Sequence, residues 1–348
     1  MAKVKFDEIA RECRSTFKGD KTGVAIVGLE HIVPNEMLVK NYEVDTENTF
    51  SKSFKKGQIL FGRRRAYQQK AGVATFDGIC SGDITVIEAI QGKVDKDLLP
   101  FIIQNERFFE HAVQGSAGSL SPRVKWEHLA SYEFVLPSLS EQKILADKLW
   151  AAYRLKESYK KLLAATDEMV KSRFIEMFGV PANSTKGKRG EEVFTFSSGK
   201  ANTKSNLDPS FQYNCYGGNG ITGKSKDYLL KDKTIVIGRV GEYCGCVHKT
   251  TDYCWITDNA IYLKTYSDLY RFEFIYHMFT MMDFHRFASE TGQPKITQAP
   301  LLSCHYPLPS LEEQNKFVAI AEQADKSKFE LRKSIEAIDQ VIKSLINN

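Results

Sequence analysis

The sequence holds no apolar run near the ~18 residues that a membrane-crossing helix requires; a stretch such as Ile235-Val-Ile-Gly238 is broken off after four. Its opening residues, Met1-Ala-Lys-Val-Lys-Phe-Asp-Glu, lack the apolar core of a secretory leader, so a cytoplasmic protein with no membrane partner is expected. Cysteine is sparse and odd in number, seven in 348 residues, which argues against a disulfide framework and for free thiols. Net charge is small, +5 from 48 Lys and Arg against 43 Asp and Glu, so affinity for a polyanion has to come from local clustering. What is present in quantity is apolar surface. With 42% hydrophobic and 11% aromatic residues, disorder is excluded, and the length suits two domains or one large one.

The most informative feature is an internal repeat. Leu136-Pro-Ser-Leu-Ser-Glu-Gln142 recurs as Leu308-Pro-Ser-Leu-Glu-Glu-Gln314, an offset of 172 that continues without a gap in both directions. Upstream it pairs Pro122 with Pro294, Leu129 with Leu301 and Ser131 with Ser303; downstream it pairs Ala152 with Ala324, Lys161 with Lys333, Asp167 with Asp339 and Lys171-Ser172 with Lys343-Ser344. A unit this long is a whole module used twice.

Each copy changes character at its Leu-Pro-Ser-Leu. Before it, β-branched and aromatic runs punctuated by Gly, Asn and Asp read as strands and turns, with some helix over 97–111 and 268–287. After it, Pro and Gly vanish over 140–178 and again over 311–348, and both stretches read as single long helices, the first ended by Gly179-Val-Pro181. In the second, Leu331, Ile335, Ile338, Ile342 and Leu345 are spaced 4, 3, 4, 3, a coiled-coil seam. Their counterparts in the first are Tyr159, Leu163, Thr166, Val170 and Arg173, with Leu162, Met169 and Phe174 alongside. A helix on the order of 50 Å long with one apolar stripe needs a partner, and the nearest is its own repeat. The expected plan is a globular unit at 1–137, a long helix at 138–180, a second globular unit at 181–309 and a second long helix at 310–348.

This plan and these words resemble the DNA-specificity (S) subunit of type I restriction-modification enzymes over nearly the whole chain. The most specific pieces are the doubled Leu-Pro-Ser-Leu-x-Glu-Gln, Gln293-Pro-Lys-Ile-Thr297 and Tyr216-Gly-Gly-Asn-Gly-Ile221, while Val27-Gly-Leu-Glu-His-Ile32 looks like the entry to a different subtype of the same target-recognition domain. The family's usual second Pro of Leu-Pro-Pro-Leu is Ser138 and Ser310 here. The resemblance implies an α+β fold: two mixed α/β target-recognition domains, separated by two long helices paired as an antiparallel coiled coil, in an internal pseudo-two-fold repeat. It also implies a non-catalytic subunit. Each head would read half of a bipartite, asymmetric duplex DNA target, and the helices would set the spacing and dock modification methyltransferase subunits, with restriction or translocase subunits as further partners. Methyl donor and ATP would belong to those partners, leaving this chain without a cofactor.

For DNA contact the sharpest candidate is Arg63-Arg64-Arg65, with Tyr67, Gln68, Gln69 and Lys70. It lies in a stretch without an acid from Glu47 to Asp77 that also carries Lys52, Lys55 and Lys56. Arg and Gln match guanine and adenine edges with paired hydrogen bonds, and Lys suits phosphate. In each half a basic residue follows the matched Pro: Arg123 with Lys125, and Lys295 with Gln293 and Thr297. Tyr216, Asn219, Lys224, Lys226 and Arg239 complete the candidates of the second unit.

Three other motifs invite rival readings. Gly218-Asn-Gly-Ile-Thr-Gly-Lys-Ser225 fits G-x-x-x-x-G-K-S, which would make the chain a P-loop NTPase, but the flanks lack the buried strand and following helix that cradle phosphate. Asp208-Pro-Ser-Phe211 is similar to the Asp-Pro-Pro-Tyr/Phe word of adenine methyltransferases, without a Gly-rich turn for the methyl donor, so a solitary methyltransferase is the weaker alternative. Cys244, Cys246 and His248 alternate along an expected strand near Cys254, yet not in the paired spacing of a zinc knuckle; small buried residues are the plainer reading. A coiled-coil scaffold that binds protein alone is the remaining alternative.

Overall fold

The computed structural model describes residues 2–118, 120–289 and 292–347. The chain forms two compact units, one of Met1–Lys160 with Lys333–Asn348 and one of Lys161–Arg332. Each long helix, Leu139–Phe178 and Leu311–Asn347, contributes residues to both units.

In the first unit a five-stranded sheet runs in the order Ala10–Cys13, Ile84–Ala89, Ile59–Gly62, Ala71–Ala74, Leu38–Val39. A three-stranded sheet of Ile26–Val27, Gly78–Cys80 and Lys52–Phe54 accompanies it. In the second unit the larger sheet has the order Phe194–Ser198, Ala260–Tyr266, Ile235–Gly238, Val247–Lys249, and the smaller one Gly220–Ser225, Tyr213–Gly217, Cys254–Ile256. The strands Ile59–Gly62 and Ile235–Gly238 are buried at all four positions. Alternate side chains of a strand face opposite ways. Accordingly Ile59 and Phe61 enter one core while Leu60 enters another, and Ile235 and Ile237 part from Val236 in the same manner. An uninterrupted apolar run is what a strand covered on both faces requires.

The repeated Leu-Pro-Ser-Leu-x-Glu-Gln word is an anchor for each helix start. The Ser138 backbone N–H and hydroxyl both donate to Glu141 Oε2 (2.9 and 2.7 Å), and Ser310 does the same with Glu313 Oε2 (2.9 and 2.7 Å), satisfying groups that a helix start leaves unpaired. One residue on, Gln142 and Gln314 are buried at 1% and 0% exposure. Gln142 donates to the Pro137 carbonyl (2.9 Å) and accepts from the Asp95 N–H (2.8 Å); Gln314 donates to the Pro309 and Leu269 carbonyls and accepts from the Arg271 N–H. A buried amide with its partners satisfied ties the helix start to its globular unit.

Within the first unit, Ala146, Leu149 and Tyr153 of the first helix share a core with Ile342, Leu345 and Ile346 of the second, and Lys156 pairs with Asp339 at 2.5 Å. Within the second, Val170 and Phe174 share a core with Phe317, Ala321 and Ala324, and Lys328 pairs with Asp167 at 2.8 Å. Of the expected seam residues Val170 is buried, and Tyr159, Leu163, Leu331, Ile335, Ile338, Ile342 and Leu345 are half-buried. Among the described residues no helix is long and apolar enough to cross a membrane.

Phe174 is fully buried, with ring centroids 5.0, 5.4 and 5.1 Å from those of Phe178, Phe274 and Phe317. Phe174→Ala should destabilise the second unit by about 3–5 kcal/mol, read as a lower urea midpoint by circular dichroism, whereas Leu162→Ala at a half-exposed position should cost no more than about 0.5 kcal/mol.

Candidate nucleic-acid interface

Each doubly covered strand ends in Gly and is followed by Arg, as Gly62-Arg63 and Gly238-Arg239, and the backbone there is pinned by the same four hydrogen bonds. In the first unit Gly62 N–H donates to Lys70 O, Arg63 to Asp83 O, Arg65 to Pro122 O and Val124 to Arg63 O, at 2.8–3.0 Å. In the second, Gly238 donates to Cys246 O, Arg239 to Asn259 O, Gly241 to Pro294 O and Ile296 to Arg239 O, at 2.8–2.9 Å. Arg64 bridges Arg123 where Val240 bridges Lys295. The four bonds set Arg63 against Arg239, Arg64 against Val240, Asp83 against Asn259 and Arg123 against Lys295.

On the first platform the three arginines part company. Arg63 is half-buried and its Nε has no partner among the described residues. Arg64 donates through Nη2 to Ser121 Oγ (2.9 Å) and reaches Asp83 at 3.5 Å. Arg65 is exposed, with φ +55°, a left-handed conformation that costs a side-chain-bearing residue roughly 1–2 kcal/mol. Glycine, Gly241 at φ +77°, occupies the matching place in the second unit. Arg123 clasps Asp83 through Nε (2.7 Å) and Nη2 (3.3 Å), and this bond, with Arg64 nearby, holds the Asp83 carboxyl below the usual aspartate range. Tyr67 is 57% exposed, Lys125 is exposed, and Gln68 and Gln69 are half-buried. Lys70 is engaged elsewhere, its Nζ donating to the Leu29 carbonyl at 2.7 Å.

On the second platform the turn at Gly218-Asn219 meets the Gly-Arg corner so closely that a Cβ on Gly238 would lie 2.6 Å from Gly218 O and 2.1 Å from Tyr243 O. Arg239 donates to the Asp258 carbonyl (3.3 Å), and Asn219, Lys226, Gln293, Lys295 and Thr297 are exposed. Lys224 is tied to Asn214 Oδ1 at 2.8 Å. Tyr216 departs from expectation. Its ring is 3% exposed in a core with Val236, Cys254 and Ile256, and its hydroxyl accepts from the Thr251 N–H (3.0 Å), so ring and hydroxyl are both engaged within the unit.

The P-loop-like word is a hairpin. Tyr213–Gly217 pairs antiparallel with Gly220–Ser225, so its backbone groups serve the sheet, and the next element among the described residues is the strand Ile235–Gly238 rather than a helix that could receive a phosphate. Cys244 donates to the Arg239 carbonyl, burial pushes the Cys80 thiol up to about 12, and Cys254 is raised by burial too. Among the described residues no group of three or more His, Cys, Asp or Glu side chains is placed to hold a metal.

Sequence reasoning missed Asp83, Ser121 and Asn259. It also missed the equivalence of Arg63 and Arg239, although Ile59-Leu-Phe-Gly-Arg63 and Ile235-Val-Ile-Gly-Arg239 were there to be aligned. Their offset is 176 rather than 172, so a gap-free comparison passes over them.

A family model described as "Type I restriction modification DNA specificity domain" matches residues 8–165 and again 185–340. The chain is 29% identical over 141 residues to the type I restriction enzyme EcoprrI specificity subunit of Escherichia coli, which is 40% of this chain and 34% of that one. It is 27% identical over 120 residues to the EcoDI specificity subunit of the same organism, 32% and 26% of the two lengths. The matches thus span about a third or less of these curated relatives. Among solved structures, the S subunit of a type I restriction-modification system from M. genitalium aligns with a TM-score of 0.62 at 14% identity, over 99% of this chain and 94% of that one. A chain from work on complex assembly and conformational transition of the type I R-M system gives 0.58 at 16%, over 99% and 96%. At such identities the structural likeness concerns the fold.

The clasp on Asp83 has a measurable consequence. A depressed folded-state pKa gives stability that is complete above the unfolded value of about 3.9 and is lost as pH falls through the folded value. A carbon-detected NMR titration should place the Asp83 midpoint below that of a free aspartate, and Arg123→Ala should bring it back up; equal midpoints would refute the clasp.

Proposed function

The chain belongs to the type I restriction-modification DNA specificity family, and from that premise we propose that it is the non-catalytic subunit that recognises a bipartite, asymmetric DNA target and brings modification methyltransferase subunits to it. Restriction or translocase subunits are further partners, ATP and the methyl donor are theirs, and the setting is cytoplasmic. The observation that carries this reading is the pair of Gly-Arg platforms, pinned by the same four backbone hydrogen bonds yet carrying different side chains. One scaffold with two sets of readers is what a split target with unlike halves calls for.

The protein contacts on DNA are proposed accordingly. Arg63, Arg64, Arg65, Tyr67, Gln68, Gln69, Arg123 and Lys125 serve one half-site, and Asn219, Lys226, Arg239, Gln293, Lys295 and Thr297 the other. The reading extends to the helices, as an antiparallel coiled coil about a pseudo-two-fold axis. In support, the ion pairs Lys156–Asp339 and Lys328–Asp167 exchange under the 172-residue offset, as a two-fold axis requires.

Two measurements test this. Methylated positions mapped in cells carrying the chain and its methyltransferase should give a split, asymmetric target. A heptad inserted after Lys161 and another after Lys333 keeps the seam in register and adds ~10 Å, so the spacer should lengthen by about three base pairs with both half-sites unchanged. An uninterrupted target, or an unaltered spacer, contradicts the reading. Arg65→Gly should leave folding stability equal or higher, because it relieves the left-handed strain, while duplex binding weakens and its salt slope falls by about one. Unchanged binding would remove Arg65 from the interface.

A further inference from the structure

The two platforms match in backbone but not in how their cations are held. In the first, one carboxylate gathers two guanidinium groups. Asp83 takes the Nε and Nη2 edge of Arg123 at 2.7 and 3.3 Å and lies 3.5 Å from Arg64 Nη1, while Ser121 Oγ accepts from Arg64 Nε and Nη2 at 3.3 and 2.9 Å. In the second, the matching places are Asn259, Lys295 and Val240: an amide without charge, a single exposed ammonium and an apolar side chain. Each cluster carries a net charge of one, so the contrast is in orientation and not in field strength.

Orientation decides what a cation recognises. A guanidinium is a planar fork, and when one edge is taken by a carboxylate the other edge is held in a fixed plane; a lysine ammonium is a mobile point charge. The arginines here are not consumed by the pairing. Arg123 and Arg64 keep 45% and 38% of their side-chain surface, Asp83 keeps 20%, and Arg123 Nη1 has no partner among the described residues. An ion pair this exposed adds little to stability, which leaves its geometry as its consequence.

We propose that Asp83 is a positioning residue of the first unit, holding Arg123 and Arg64 so that their remaining donors meet DNA as an oriented fork that discriminates bases, while the second unit uses Lys295 at the matching place as an unoriented phosphate contact. This rests on the reading of the chain as a DNA-recognition subunit. It goes further in assigning a residue that touches no DNA a part in specificity, and in making the two half-sites unequal in kind.

The test uses the full chain assembled with its methyltransferase. The probes are duplexes bearing the mapped target and every single-base change in each half-site, at several salt concentrations. Asp83→Asn should reduce discrimination at one or two positions of the first half-site about tenfold, leave the second half-site as it was, and steepen the salt slope by about one as the released arginine moves to phosphate. Arg123→Lys, which keeps the charge and loses the fork, should reduce discrimination equally with no change of slope, and it carries the test if Asp83→Asn does not fold. Asp83→Glu should retain discrimination. Asn259→Asp, by drawing Lys295 away, should reduce the slope by about one and leave the first half-site intact. Wild-type discrimination and slope in both Asp83→Asn and Arg123→Lys would overturn the assignment. If the wild-type assembly shows no sequence preference for duplex DNA, the reading of the chain as a DNA-recognition subunit fails first, and Asp83 with it.

Discussion

Everything at the candidate interface depends on a strand that cannot slide. Ile59–Gly62 and Ile235–Gly238 are buried on both faces, with alternate side chains committed to separate cores. A slip of one residue would carry every apolar side chain into the wrong core and push a following arginine into the sheet. The register is thus fixed by burial, and with it the point where the chain leaves the sheet. Glycine at that point admits the neighbouring backbone, as the contacts a Cβ on Gly238 would make indicate. Arginine comes next, at a site set by the core rather than by its own interactions.

The helices obey a second constraint of the same kind. Gln142 and Gln314, buried with their amides satisfied, fix how each helix leaves its unit, and the Ser-Glu pairs one turn earlier close the helix start. Either glutamine replaced by an apolar residue would take from part-buried backbone groups the amide that satisfies them. The duplication of the anchor is the physical content of the repeated sequence word.

Much of this was legible in sequence because it rests on local chemistry. The helix starts follow from the doubled Leu-Pro-Ser-Leu word, the helices from the absence of Pro and Gly after it, and the apolar stripe from its 3-4 spacing. What was not legible depends on contacts far apart in the chain. Tyr216 sits in a run of mixed polarity, Tyr213-Asn-Cys-Tyr-Gly, and its burial rests on Val236, Cys254 and Ile256, with Thr251 satisfying its hydroxyl, all distant in sequence. Asp83 lies outside the basic stretch and becomes part of the platform only because Ile84–Ala89 pairs with Ile59–Gly62. Lys70 and Lys224 look like phosphate contacts by composition, yet each is tied to a protein oxygen. Charge clustering located the first platform, but it could not separate the cations that face outward from those that hold the fold.

The central claim is that one scaffold is used twice with different readers. It is tested most directly by making the readers the same: replace residues 189–308 with a copy of 5–136, so that both units carry the first platform, and map the methylated sites. The account predicts a palindromic target, the first half-site followed by its own inverted copy across the spacer. Retention of the original asymmetric target would contradict it, since the second half-site would then be read by something other than the second unit.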